Sequence, residues 1–208
     1  MFRQLARVFG LVGLVLAFLH SGGAWLGNAA PLPAQTRTYR FTARVTDNGG
    51  VTPFKVDQPI TGSFTYDLQG KNTQPRIPGH GFYSSPRNSI GFRSGDLRFS
   101  GIGDVLAVVN AFDHAEDFGM VAPDLELPEG WEMDHTRRSQ TYSFLLQNVP
   151  PRKVIARAGS IPRRLSLSDF VSTREVRFDF FHGVSFPDGK VTDRATLYAA
   201  VESLEEVP

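Results

Sequence analysis

Apolar and polar residues alternate with a period of two along most of this chain. The plainest case is Pro59-Ile60-Thr61-Gly62-Ser63-Phe64-Thr65-Tyr66-Asp67. Ile60, Gly62, Phe64 and Tyr66 share one parity, and Thr61, Ser63, Thr65 and Asp67 share the other. Successive side chains of a strand point to opposite faces, so the pattern predicts a strand with one buried face. Its β-branched and aromatic content agrees, and Pro59 stands where a strand can begin. Phe64 and Tyr66 are expected in the core and Thr65 outside it. Upstream, Tyr39, Phe41, Ala43 and Val45 alternate with Arg40, Thr42, Arg44 and Thr46. Asp47-Asn48-Gly49-Gly50 follows as a tight turn, because Asn and Gly tolerate positive φ. Residues 51–56 read as a second extended piece, kinked at Pro53.

Residues 68–81 are rich in Gly and Pro and read as a loop, with Phe82 and Tyr83 docking it. A hairpin is predicted from residues 89–93 and 97–100 around Ser94-Gly95-Asp96, with Ile90, Phe92, Leu97 and Phe99 inward. Residues 104–112 fit a helical stripe as well as a buried strand; three valines favour the strand. Residues 113–135 are irregular and acidic, with a short strand at 118–121. Strands follow at 141–146 and 174–181, with a loop or single helical turn at 162–170 between them and a turn at 187–190. The last strand starts at 191 and is expected to fray before Glu205, although Leu197, Val201 and Leu204 are also helically spaced. Eight or more short strands separated by turns predict an all-β fold, an antiparallel β-sandwich of jelly-roll-like kind, with a closed barrel as the alternative.

The first residues depart from this pattern. Arg3 and Arg7 precede an apolar run at 8–19 and a small-residue stretch ending Gly27-Asn28-Ala29-Ala30. This is the layout of a secretory signal peptide. His20, Ser21, Gly22 and Gly23 interrupt the run short of the roughly 20 residues needed to span a bilayer, which argues against a retained anchor. The expected organisation is a signal peptide at 1–29, a linker at 30–36 and a single β-sandwich domain at 37–208. The protein is expected to be secreted or periplasmic, with no stable membrane anchor after signal cleavage.

Without Arg3 and Arg7, the 22 basic residues fall to 20, against 21 acidic ones. Such a balance gives no basic footprint for nucleic acid. The chain has no cysteine, which removes disulfides, thiolate metal sites and cysteine nucleophiles.

Several short segments resemble a group of uncharacterised secreted bacterial β-proteins that often carry a PEP-CTERM sorting tail. They are Gly62-Ser63-Phe64-Thr65-Tyr66-Asp67, Val108-Val109-Asn110 followed by Asp117, Phe144-Leu145-Leu146, Ile161-Pro162 and Asp169-Phe170. The resemblance implies a secreted all-β domain and carries no known activity. A sorting tail would require a Pro-Glu-Pro motif, an apolar helix and basic residues; the sequence reads Glu205-Glu206-Val207-Pro208 instead. Release into the periplasm or medium is the corresponding expectation.

Candidate chemistry is sparse. Asn110, Asp113 and Asp117 follow a strand and offer oxygens to a hard cation, so calcium is the cofactor considered. Their spacing is not that of an EF-hand, and carboxylates on loops are more often simply solvated. Trp131, Glu132 and Asp134 form the candidate ligand site: an exposed ring among acids suits a sugar, and the alternative is a ring that plugs the core edge. Glu126, Glu129, Glu132 and Asp134 are the acids for a glycoside hydrolase reading. His80, His114, His135 and His182 show no metal spacing, and neither His-Glu-x-x-His nor Gly-x-Ser-x-Gly occurs. The sequence therefore favours an exported, non-catalytic structural or ligand-binding β-protein, with a polysaccharide or cell-envelope component as partner. A secreted carbohydrate-active hydrolase using the acidic loop is the alternative.

Overall fold

A computed structural model describes residues 35–51, 53–102, 104–133, 140–155, 160–180, 184–186, 191–192 and 195–208. The signal segment, residues 30–34 of the linker, Asp134, His135, His182 and the expected turn at 187–190 lie outside the described residues. The strands are β1 (Thr36–Asp47), β2 (Pro59–Asp67), β3 (Lys71–Asn72), β4 (His80–Ser84), β5 (Ser89–Ser94), β6 (Leu97–Ile102), β7 (Leu106–Ala111) and β8 (Glu116–Ala122). They continue with β9 (Asp124–Glu126), β10 (Glu132–Met133), β11 (Gln140–Asn148), β12 (Thr173–Phe180), β13 (Val184–Ser185), β14 (Val191–Thr192) and β15 (Ala195–Val207). A 3-10 turn, Leu167–Asp169, is the only helical element among the described residues. No helix among them is long and apolar enough to cross a membrane.

Twelve strands form one open antiparallel sheet in the order β3, β4, β7, β8, β11, β12, β15, β1, β2, β5, β6, β9; β10, β13 and β14 form a second, small one. The all-β antiparallel class is as the alternation predicts. The two layers, however, are halves of one hydrogen-bonded ladder. Phe64 on β2 and Phe118 on β8 are separated by five strand spacings, about 24 Å along the sheet. Their ring centroids are nevertheless 6.0 Å apart. Phe64 also lies 4.7 Å from Phe144 on β11, and Phe92 on β5 lies 4.1 Å from Phe178 on β12. The sheet therefore curls over so that its two halves share one core. The chain crosses between them at Pro123, a bend that leads from β8 into β9, and β9 pairs with β6.

Parity explains the core. Ile60, Phe64 and Tyr66 are buried on β2, as are Tyr39, Phe41, Ala43 and Val45 on β1. Gly62 shares the inner parity because its neighbour needs the room. The Phe41 ring lies over it, and a Cβ on Gly62 would stand 2.2 Å from Phe41 Cζ. The Asp47–Gly50 turn forms as expected: Gly49 N–H donates to Asp47 Oδ1 at 2.8 Å, and Gly49 and Gly50 have φ of +44° and +88°.

Four expectations are corrected. Residues 51 and 53–56 form turns and irregular backbone, not a strand; Val51 and Phe54 are buried, with the Phe54 ring 5.9 Å from Phe99. The 68–81 loop contains β3, and Phe82 and Tyr83 belong to strand β4. The 118–121 strand is longer, spanning Glu116–Ala122. The last strand does not fray at Glu205 but pairs with β1 as far as Val207 opposite Thr38. The reason is a bulge. Thr42 faces Ser203 while Ala43 faces Val201, so Glu202 is the extra residue and the inner parity moves by one. That shift produced the helix-like spacing of Val201 and Leu204.

One end of the curled sheet is closed by loops held by polar groups. Tyr66 Oη donates to the Pro162 carbonyl at 3.0 Å, and Leu165 N–H donates to Tyr39 Oη at 2.9 Å. Burial pushes both phenols above their ordinary range. Leu165, Phe170 and Ile155 fill this end. Asn148, fully buried, donates to Glu116 Oε1 and the Asp169 carbonyl and accepts from Val171 N–H.

Candidate functional site

The outer face of the β15, β1, β2, β5, β6, β9 half carries a groove of about 930 Å³. Two registered rows of side chains cross it. Glu205, Arg40, Ser63, Gly91, Ser100 and Glu126 lie opposite one another in succession from β15 to β9. Ser203, Thr42, Thr61, Arg93 and Arg98 make the second row. These are the solvent-parity residues whose partners make the core. The Glu202 bulge is what turns Ser203 and Glu205 to this face. Gly91 leaves a notch in the floor between Ser63 and Ser100. Phe41, Phe92 and Phe99 lie beneath, each buried.

Hydrogen bonds in the groove are few. Ser100 Oγ donates to Glu126 Oε2 at 2.7 Å, Arg93 Nε donates to Thr61 Oγ1 at 3.1 Å, and Thr42 and Ser203 share one at 2.7 Å. Arg93 and Arg98 stand directly opposite each other in the ladder. The two glutamates close opposite ends of the first row, five strand spacings apart, about 24 Å along the sheet. Carboxylates that cleave glycosides stand roughly 5–9.5 Å apart.

The residues singled out from sequence fall elsewhere. Trp131 is buried at 7% exposure, edge-on to Phe99 at 5.3 Å and to Phe186 at 4.9 Å. The reading of an exposed sugar-stacking ring is corrected: the indole plugs the core edge. Glu132 belongs to β10, Asp134 lies outside the described residues, and Glu129 is exposed beside Gly130. Among the described acids of this set, Glu126 lines the groove.

Asn110 and Asp117 are brought together on β7 and β8, but Asp113 stays exposed on the turn between those strands. Asn110 Nδ2 donates to Asp117 Oδ1 at 2.7 Å, and Asn110 Oδ1 meets His80 Nδ1 at 2.5 Å. Gln147 also hydrogen-bonds Asp117, so a polar chain crosses four neighbouring strands. A calcium ion here would have to take these oxygens from their present partners. Among the described residues no group of three or more acidic or histidine side chains is gathered to hold a metal. His114 instead stacks on Phe112 at 5.5 Å.

Burial pushes the Asp117 carboxyl above its ordinary value of 3.8, against the hydrogen bonds from Asn110 and Gln147 and the charge of His80. A raised folded-state pKa means a stability contribution present below 3.8 and lost as pH rises through the folded value. Asp117→Asn, which cannot ionise, is therefore expected to gain stability relative to the wild type as pH rises across that window. Paired thermal melts over the acid range check this, and a difference that does not change with pH would rule Asp117 out as the titrating group.

Sequence reasoning missed Arg40, Arg93, Arg98 and Glu205 as site residues. The Glu202 bulge hid the outward parity of Glu205, but that of the three arginines was readable. Their common groove was not, because β15 pairs with β1 and β2 with β5 across long stretches of chain. No family model, no curated protein and no solved structure matches this chain.

Proposed function

We propose that this chain is an exported, non-catalytic β-sandwich protein of jelly-roll-like kind, and that it binds a ligand in the groove over β15, β1, β2, β5, β6 and β9. The observation that carries the reading is the pair of polar rows on one groove-shaped sheet face. Hydroxyls and guanidinium groups are presented there in a regular grid, on strands rather than loops. A strand-borne grid holds its geometry without a ligand, so little ordering entropy opposes binding. The groove's two carboxylates stand at opposite ends of a row, which favours binding over hydrolysis. Export follows from the signal-like residues 1–29, and a cell-envelope or extracellular polysaccharide is the ligand class such a protein meets. The resemblance to secreted β-proteins that often carry a PEP-CTERM tail points the same way.

Affinity electrophoresis of the mature protein through gels containing soluble polysaccharides tests this, with Ser63→Trp as the blocked variant. Ser63 is exposed at mid-groove, so the bulky ring fills the site without touching the core. Retardation of the wild type that Ser63→Trp abolishes is the expected result. Steady release of reducing ends from any of these polymers would overturn the non-catalytic reading in favour of a hydrolase.

A further inference from the structure

Apart from Arg174, which donates to the Phe170 carbonyl, the arginines of this sheet fall into two sets. Arg37, Arg44 and Arg177 are each matched by a carboxylate, on Glu206, Glu202 and Asp179. Arg40, Arg93 and Arg98 are not: among the described residues none of them forms an ion pair, and all three are exposed in the groove. Arg93 and Arg98 are moreover direct cross-strand partners. Like charges in that position have their Cβ atoms about 5 Å apart and destabilise a sheet. Arg40 sits two strands and two residues from Arg93, about 12 Å away. The groove thus holds one doubled and one single positive position, separated by hydroxyls.

We infer, building on the proposed groove, that its ligand is an acidic polysaccharide whose carboxylates are held by Arg40, Arg93 and Arg98. A guanidinium group offers a planar fork that matches a carboxylate with two parallel hydrogen bonds. A bound carboxylate between Arg93 and Arg98 would also remove their mutual repulsion. The Thr61 and Ser63 hydroxyls lie between the positive positions and those of Thr42 and Ser100 beside them, where the hydroxyls of a sugar chain would fall. Nucleic acid fits less well. Single strands are held by stacking on exposed rings, whereas the aromatic rings at this groove are buried.

The test is titration of the mature protein with polygalacturonate, with dextran as the neutral polymer and single-stranded oligonucleotide as the phosphate polymer. Polygalacturonate is expected to bind, to weaken with added salt, and to bind about tenfold or more weakly to Arg93→Ala/Arg98→Ala. Arg98→Lys should recover part of the loss, and Arg76→Ala, on an exposed loop outside the groove, should show none. Removing the like-charged pair should leave the melting temperature unchanged or raised, which separates a binding loss from misfolding. Dextran binding as tightly as polygalacturonate, blocked by Ser63→Trp but indifferent to the arginines, would overturn the acidic ligand and leave the groove standing. Oligonucleotide binding tighter than polygalacturonate would overturn the polysaccharide. Binding that neither the arginine variants nor Ser63→Trp alters, or no binding of any polymer, would overturn both the ligand class and the groove.

Discussion

Phe64→Ala is expected to destabilise the protein by about 3–5 kcal/mol, a large fraction of the stability of an ordinary domain. Phe64 is 1% exposed and sits where the two halves of the curled sheet meet. Its ring lies 5.4 Å from Tyr39, 6.3 Å from Tyr66, 6.0 Å from Phe118 and 4.7 Å from Phe144. Truncation opens a cavity lined from both layers, and neither layer can collapse into it without moving the ladder that joins them. Its neighbour Thr65 points the other way, where its hydroxyl shares a 2.9 Å hydrogen bond with Thr38 across β1 and β2. Thr65→Ala should therefore cost only about 1 kcal/mol, the net value of one such bond. Urea melts of the two variants read the contrast through their midpoints at constant slope. Equal, small losses would mean that Phe64 is not a core residue, and the inner and outer faces of the sheet would have to be exchanged.

Glu116→Ala is expected to cost about 3–4 kcal/mol, because it strands four buried or part-buried donors at once. The Glu116 carboxylate is 1% exposed. It accepts from Asn148 Nδ2 at 2.9 Å, Arg152 N–H at 2.8 Å, Val154 N–H at 3.2 Å and Ile155 N–H at 3.3 Å. Burial alone would raise its pKa, but these donors together hold it below its ordinary value of 4.5. A lowered folded-state pKa gives stability that is present above 4.5 and lost as pH falls through the folded value. The wild type should accordingly lose stability on acidification below that point, and Glu116→Gln should lose less, starting from a lower baseline at neutral pH. Denaturant melts on both sides of pH 4.5 measure it. A Glu116→Gln variant as acid-sensitive as the wild type would place the titrating group elsewhere.

What could be read from the sequence was what period two records. Phe64, Tyr66, Phe92 and Phe178 alternate with polar residues and all face the core. Pairing was not readable in the same way, because alternation says which face a residue takes and nothing about which strand lies beside it. Thus Arg40 and Arg93 were visible as outward residues, but not as residues of one groove. Glu202 shows the other limit: one bulged residue moves the parity of everything after it, so Ser203 and Glu205 looked like the start of a frayed end. Trp131 misled because its sequence neighbours are acidic while its spatial neighbours are Phe99 and Phe186. Glu116 lay unremarked among the acids of an irregular segment, since its donors come from a loop more than 30 residues further on.

The pairing of β1 with β15 also bears on the order in which this protein can fold. Thr38 meets Val207 and Phe41 meets Leu204, at the centre of the sheet rather than at an edge. Every strand on the β3 side of the ladder reaches β1 only through β15. The central ladder between the two halves therefore cannot form until residues 195–207 have emerged, whatever hairpins and core contacts form earlier. Contacts of such long sequence separation make folding slow, because the closure entropy comes before the stabilising contacts. A chain emerging N-terminus first would hold residues 36–47 without this partner until residues 195–207 follow. Late closure of the central ladder suits the threadable chain that the export we propose requires.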